Sequence, residues 1–253
     1  MTDAQAWQAL AAELDRWCQR GKRAVFWLRD DDAVEPSGAL DRLLELTGRF
    51  EVPVTLAVIP HQTGMALARR LDESPQASVA QHGWSHTNHA PEGHKKQELG
   101  LFRPLEVVME ELRAGAAKLS HLHGDRFVPM LVPPWNRIDE ALLAQLEAIG
   151  VGALSVFGPE RPGPVPVINT HVDVIDWKVT RGGRQESILI GEILARLAGM
   201  ESADATVGIL THHLDHDTQV WRFLEQLFVL TSRHPACHWA PVSALMAGYQ
   251  DKA

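Results

Sequence analysis

Residues 24–32 read Ala-Val-Phe-Trp-Leu-Arg-Asp-Asp-Asp, five apolar residues running into a basic residue and then three aspartates. An unbroken apolar run of that length, bounded upstream by Gly21 and downstream by Pro36, reads as a strand buried on both faces. The acidic residues then mark its carboxyl end. Upstream, Trp7, Leu10, Leu14 and Trp17 recur at helical spacing, so residues 1–21 are expected to form an N-terminal helix packed on the strand layer and stopped by Gly21.

Helical and strand patterns alternate after this strand. Leu40, Leu43, Leu44 and Leu46 predict a helix that Pro36-Ser37 opens, and residues 53–59 a strand. Met65 to Leu71 is helical, and Ser78-Val79-Ala80 is a short strand. A polar loop from Thr87 to about Arg103 leads to a long helix carrying Leu105, Val108, Met109, Leu112 and Leu119; internal loops of that length are often functional. The expected order continues with a strand at 127–132, a helix at 139–149, and strands at 151–156 and 165–169. A helix at 188–197, a strand at 206–210, a helix at 220–230 and a closing segment at 238–246 complete it. About seven buried strands separated by helices imply an α/β fold with a mainly parallel sheet, best fitted by a closed or nearly closed (β/α) barrel. A single domain spanning 1–253 is expected, with the Pro/Gly-rich 158–166 a loop rather than a linker.

A chain of 253 residues with 45% hydrophobic content can bury a sizeable core. Its formal charge of −8 and scattered Lys and Arg argue against nucleic acid as a partner. Two cysteines, Cys18 and Cys237, make no disulfide framework. No apolar run reaches membrane-spanning length, and the acidic-to-neutral amphipathic start lacks the basic and apolar regions of an export signal. A cytoplasmic location without membrane association is therefore expected, with room for a homo-oligomer.

The polar residues fall at one end of every strand. Asp30-Asp31-Asp32 follow the first, His61 the second, His82 the third, and Pro133-Pro134-Trp135-Asn136 the fourth. His171 and Asp173 follow the sixth, and His212-His213 the seventh. In a parallel barrel these carboxyl ends form the face that carries active sites. The stretch Gln81-His82-Gly83-Trp84-Ser85-His86-Thr87-Asn88-His89 adds two imidazoles four residues apart, with His89 as a less persuasive substitute for His86. Gly83 stands where the HExxH metalloprotease motif needs its glutamate, which excludes that motif. A zinc-like ion wants about four N, S or O ligands, and the aspartate triplet is the dense source of a carboxylate. Either residue type alone would more often be a capped turn or a bonded loop histidine; the pairing favours ligation.

Together these residues resemble the polysaccharide deacetylase family, the NodB-homology carbohydrate esterases. Its strand-terminal aspartate pair is similar to Leu28-Arg29-Asp30-Asp31-Asp32, which implies Asp30 as general base and Asp31 as metal ligand; a one-residue slip would shift these roles to Asp31 and Asp32. The family's His-Ser/Thr-x-x-His resembles His82-Gly83-Trp84-Ser85-His86, with Gly83 in place of the hydroxyl residue. Arg-x-Pro-aromatic resembles Val132-Pro133-Pro134-Trp135 without the arginine, for which Arg137 or Arg29 could substitute. Asp-x-x-Asp-Trp is matched by Asp173 to Trp177, and the strand-terminal histidine by Ile209-Leu210-Thr211-His212, with His213 fitting a looser form. The resemblance runs from residue 28 to 213 and implies a single distorted (β/α) barrel of the NodB-homology type.

The implied activity is removal of an acyl group, N-acetyl above all, from a carbohydrate-type substrate. One divalent ion, zinc for preference, would sit on Asp31, His82 and His86 and activate a water that Asp30 deprotonates. A backbone N–H near Trp135 would help hold the oxyanion. His212 would protonate the leaving amine, with Asp173 or Asp176 orienting it. Pro134, Trp135, Asp173, Asp176 and Trp177 are the implied substrate contacts, although tryptophans at such positions are at least as often core fillers. A small-molecule or oligosaccharide substrate suits a cytoplasmic enzyme. Two other readings stand beside it: a metal-dependent hydrolase of a small non-sugar amide, and an inactive carbohydrate-binding relative that has lost the arginine.

Overall fold

The computed structural model describes residues 1–200 and 206–250. Its strands are β1 (Ala24–Ala33), β2 (Val54–Val58), β3 (Ala77–His82), β4 (Phe127–Val132), β5 (Ala153–Leu154), β6 (Val172–Asp173), β7 (Thr206–Thr211) and β8 (Cys237–Trp239). The helices are α1 (Asp3–Gln19), α2 (Gly38–Arg49), α3 (Met65–Leu71), α4 (Leu105–His123), α5 (Glu140–Leu143), α6 (Glu186–Ala198), α7 (Thr218–Thr231) and α8 (Val242–Gln250). Hydrogen-bonded neighbours follow the order β5-β4-β3-β2-β1-β7-β6, with β8 also beside β1. That seven-strand path, with helices between most of its strands, is the (β/α)-barrel type expected from the sequence.

Two compact units divide the chain. The first comprises Met1–Asp30, Ser37–Val54 and Thr170–Pro241. Within it β1 pairs in parallel with β7 from Val25↔Thr206 to Asp30↔Thr211, and β7 pairs with β6. Phe26 and Trp27 are fully buried, as a two-sided strand requires. Thr2 and Gln5 form a capping box that starts α1, and Ala6, Leu10, Leu14 and Trp17 are its buried stripe. Trp7, expected in that stripe, is half-buried because its ring N–H donates to Glu186 at 2.6 Å, while the ring packs on Phe223.

The second unit comprises Asp31–Pro36, Thr55–Asn169 and Val242–Ala253. All five residues of β2 are buried, and the Ile59 N–H donates to the Ala33 carbonyl at 3.0 Å, tying the end of β1 to the end of β2. Strands β3, β4 and β5 pair in parallel. Leu112 from α4, Leu131 from β4, Leu154 from β5 and Leu146 share one core, each gaining roughly 1.5–3 kcal/mol from burial.

Several local expectations are corrected. The first strand does not stop at Leu28 but continues through the three aspartates to Ala33. No strand forms over 165–169: Pro164 and Pro166 carry no N–H for a ladder, Val167 makes only an isolated bridge to Leu154, and the strand falls later, at β6. The helix expected over 139–149 is a single turn followed by a 3₁₀ turn at Glu147–Ile149, ended by Gly150 at φ +82°. The closing segment divides into β8 and α8. No helix among the described residues is long and apolar enough to cross a membrane.

Candidate metal centre and acid–base pair

Three donor side chains meet in the second unit. His82 is the last residue of β3 and is buried, and its Nδ1 lies 2.9 Å from the Val132 carbonyl at the end of β4. That bond fixes the ring and leaves Nε2 facing Asp32 Oδ1 at 3.1 Å; His86 Nε2 lies 3.4 Å from the same oxygen. One ligand atom from each of Asp32, His82 and His86 falls within 4.8 Å of the others. Two imidazole nitrogens and a carboxylate oxygen at that separation are a donor set that could hold a divalent metal ion.

The backbone around this cluster is unusual. Asp32, Gly83, His86, Trp135 and Asn136 all have φ between +54° and +71°. Left-handed backbone is uncommon outside glycine, and four such side chains in one place must be held by their surroundings. The carboxylate in the cluster belongs to Asp32, the ligand under the one-residue slip, rather than to Asp31. The left-handed turn at Asp32 breaks the strand alternation and re-aims its side chain. Asp31, buried beside it, acts on His82 through its charge. Burial pulls the His82 imidazolium down, but the bond to Asp32 and the charges of Asp31 and Asp32 outweigh it and leave its pKa above the ordinary value. His86 moves the other way, lowered by burial and by the proximity of His82.

The turn that carries the histidines rests on a residue not singled out in the sequence. Glu98, fully buried, accepts from the Trp84 N–H at 3.1 Å, the Ser85 N–H at 2.8 Å, the Ser85 hydroxyl at 3.0 Å and the Thr87 N–H at 3.4 Å. The only sequence signal was the length of the loop that contains it. Trp135 lies with its ring 4.4 Å from that of His86, and the Lys96 ammonium stands over the Trp135 ring, 5.9 Å from its centre. Pro134 is buried next to it. Arg137, one substitute for the missing arginine, donates to the Lys96 carbonyl at 2.8 Å. Arg29, the other, is buried in β1 one residue from Asp30, where strand alternation points it to the opposite face. His89 lies outside the donor cluster.

The first unit holds the second constellation. Asp30 is completely buried; its Oδ2 accepts from the Thr211 hydroxyl at 2.6 Å and the His213 N–H at 2.9 Å, and its Oδ1 bonds the His213 ring at Nδ1. Burial alone would raise its pKa, but the charge and hydrogen bond of His213 prevail and hold the carboxyl below its ordinary value. It is therefore His213, and not His212, that pairs with the expected base. A 3₁₀ turn at His213–Asp215 begins directly after His212 and swings the second histidine back over the strand end. The ring of His212 instead packs edge-on against Trp177 at 4.6 Å. Asp173 accepts the Trp177 ring N–H at 2.9 Å and the Ile175 N–H at 3.0 Å, so it orients the tryptophan that touches His212. Asp176 caps a turn by accepting from the N–H groups of Lys178 and Val179.

Beside this pair, His216 has neither ring nitrogen hydrogen-bonded, and its ring stands edge-on to Trp221 at 4.4 Å. Burial first, then His213 and His212, push it down to about 4 against the opposing charges of Asp30 and Asp217. An unfolded histidine takes up its proton near 6.5, so between about 6.5 and 4 the unfolded chain binds more protons and stability falls as the pH drops. Replacing His216 with phenylalanine is expected to remove about 3 kcal/mol from the stability difference between pH 7 and pH 4. Urea melts at the two pH values test this, and an unchanged difference would refute it.

No protein-family model and no curated protein matches the chain. Solved structures do. A candidate polysaccharide deacetylase from Mycobacterium smegmatis aligns over 92% of both chains at 14% identity and a TM-score of 0.68. The peptidoglycan deacetylase PdaC from Bacillus subtilis aligns over 91% of this chain and 93% of its own at 15% identity and a TM-score of 0.57. A family 4 acetyl xylan esterase from Clostridium thermocellum, solved with a cobalt ion, aligns over 89% and 92% at 16% identity and a TM-score of 0.54. At these identities the likeness establishes the fold: this chain has the architecture of the NodB-type deacetylases that its motifs resemble.

Proposed function

Proceeding from that shared fold, we propose that the protein is a metal-dependent hydrolase that removes an acyl group, N-acetyl above all, from a carbohydrate-type substrate. The observation that carries this reading is the Asp32–His82–His86 donor set, with His82 locked by the Val132 carbonyl so that Nε2 faces the other two donors. A divalent ion held there, zinc by the donor set, would supply a Lewis acid and lower the pKa of water.

The chain's own residues do the rest in this reading. Asp30 lies two residues before Asp32 in the same strand and would be the carboxylate base that takes a proton from the attacking water. His213, bonded to Asp30 through Nδ1, would be the proton donor to the leaving amine in this reading. Trp177, 39% exposed, and the half-buried Trp135 offer flat faces on which a sugar ring can stack.

The test is acetate and amine release by metal-replete protein across N-acetylated mono- and oligosaccharides, acetylated xylan fragments and small amides. Release from the sugars, abolished by a chelator and restored by adding metal, is the expected result. Turnover confined to small non-sugar amides would reassign the substrate class. Silence across the whole panel would leave a binding module.

A further inference from the structure

We infer that Glu98 is a positioning residue of the metal centre: a buried carboxylate that holds the His82–His86 turn in its ligating shape. This rests on the reading of Asp32, His82 and His86 as metal ligands and adds a residue to it.

Glu98 touches neither histidine through a hydrogen bond. It gathers the backbone N–H groups of Trp84, Ser85 and Thr87, two residues before His86 and the one after it, together with the Ser85 hydroxyl. His86 itself sits at φ +56°, in the left-handed region that few non-glycine residues occupy. Charge-assisted bonds donated to a fully buried carboxylate are about twice as strong as neutral ones and supply the constraint that keeps it there.

Gly83 is the other half of the arrangement. A Cβ at this position would lie 2.0 Å from Glu98 Oε2 and 2.6 Å from Pro134, and the residue stands at φ +56°. The carboxylate therefore occupies the volume a side chain at 83 would need, including the hydroxyl side chain of the motif this stretch resembles. The glycine is what admits Glu98.

The loop is built to deliver this one side chain. On one side of Glu98 the Gln97 carbonyl accepts from the His89 N–H at 3.0 Å, and the Gln97 N–H donates to the Asn88 side chain at 2.9 Å. On the other, Leu99 bridges Ile138, and its carbonyl accepts from the Asp139 N–H at 2.9 Å. Pinned on both flanks, Glu98 has no slack, and the polar stretch from Thr87 to Arg103 acts as a strut for the histidine turn.

The experiment is cobalt binding by the full chain, measured by chelator competition and by the visible absorption of the bound ion, well below the unfolding temperature. Glu98→Gln and Glu98→Ala are expected to weaken cobalt binding about 10- to 100-fold and to change the absorption envelope, while far-UV circular dichroism keeps the native signal. Gly83→Ala, forced against the same carboxylate, should reproduce the loss. A merely structural glutamate would lower the melting temperature and leave affinity and spectrum of the folded protein unmoved. Should the alanine variant fail to fold, the near-isosteric glutamine decides. Cobalt affinity within twofold of the parent and an unchanged spectrum in Glu98→Gln would overturn the inference. His82→Ala and His86→Ala run alongside: if these also keep stoichiometric cobalt, the metal reading fails, and if they lose it while Glu98→Gln does not, only the positioning role fails.

Discussion

Replacing Asp32 with asparagine is expected to weaken divalent-metal binding roughly 100-fold or more, while Asp31→Asn costs only a few-fold. The asymmetry follows from geometry. Asp32 Oδ1 is the atom that both histidine Nε2 atoms face, at 3.1 and 3.4 Å, and the amide of asparagine is a far weaker donor to a zinc-type ion than a carboxylate. Asp31 contributes charge next to His82 without entering the donor cluster. His82→Ala should match the Asp32 loss, since it removes the ligand whose ring is fixed by Val132. Chelator competition with zinc measures all three on folded protein. A larger loss in Asp31→Asn than in Asp32→Asn would restore the assignment that the strand-terminal aspartate pair suggested.

That one-residue slip shows where the sequence stopped being informative. The apolar run before the aspartates, the helical stripes and the strand-end histidines are periodic features, and periodicity is what hydrophobic burial writes into a sequence. They were enough for the parallel α/β architecture and for bringing residues 30–32, 82 and 86 under suspicion. Which aspartate turns inward depends on a left-handed φ at Asp32, and an aspartate can adopt that conformation without any neighbouring residue announcing it. The same holds at the end of β7, where the 3₁₀ turn decides between two adjacent histidines. Glu98 was invisible for a different reason. Its bonds reach back 11 to 14 residues into a turn, and no local pattern encodes such a pairing. The missing strand at 165–169 was legible in principle, because Pro164 and Pro166 forbid the ladder that the flanking valines suggest.

The choice between the adjacent histidines has the largest expected effect on turnover. His213→Gln is expected to lower kcat about 10²- to 10⁴-fold with metal content unchanged, and His212→Gln to lower it far less. The buried pairing is the reason: Asp30 binds the His213 backbone and ring together, whereas His212 packs edge-on against the exposed Trp177, where substrate contact would make its loss appear mainly in KM. Asp30→Asn should abolish turnover as His213→Gln does, since either change dissolves the pair. It should also destabilise the fold, because removing one partner of a buried charged pair costs about 3–5 kcal/mol. The pH dependence has a definite sign. His213 lowers the Asp30 carboxyl below the ordinary value of about 3.9, so the folded state holds this proton less tightly than the unfolded chain. The stabilisation is present above that ordinary value and is lost as the pH falls through the lower folded one. In Asp30→Asn this acid-labile contribution should be absent from melts below about pH 4. A kcat that survives His213→Gln but collapses in His212→Gln would move the proton donor back to His212 and leave Asp30–His213 as a buried structural pair.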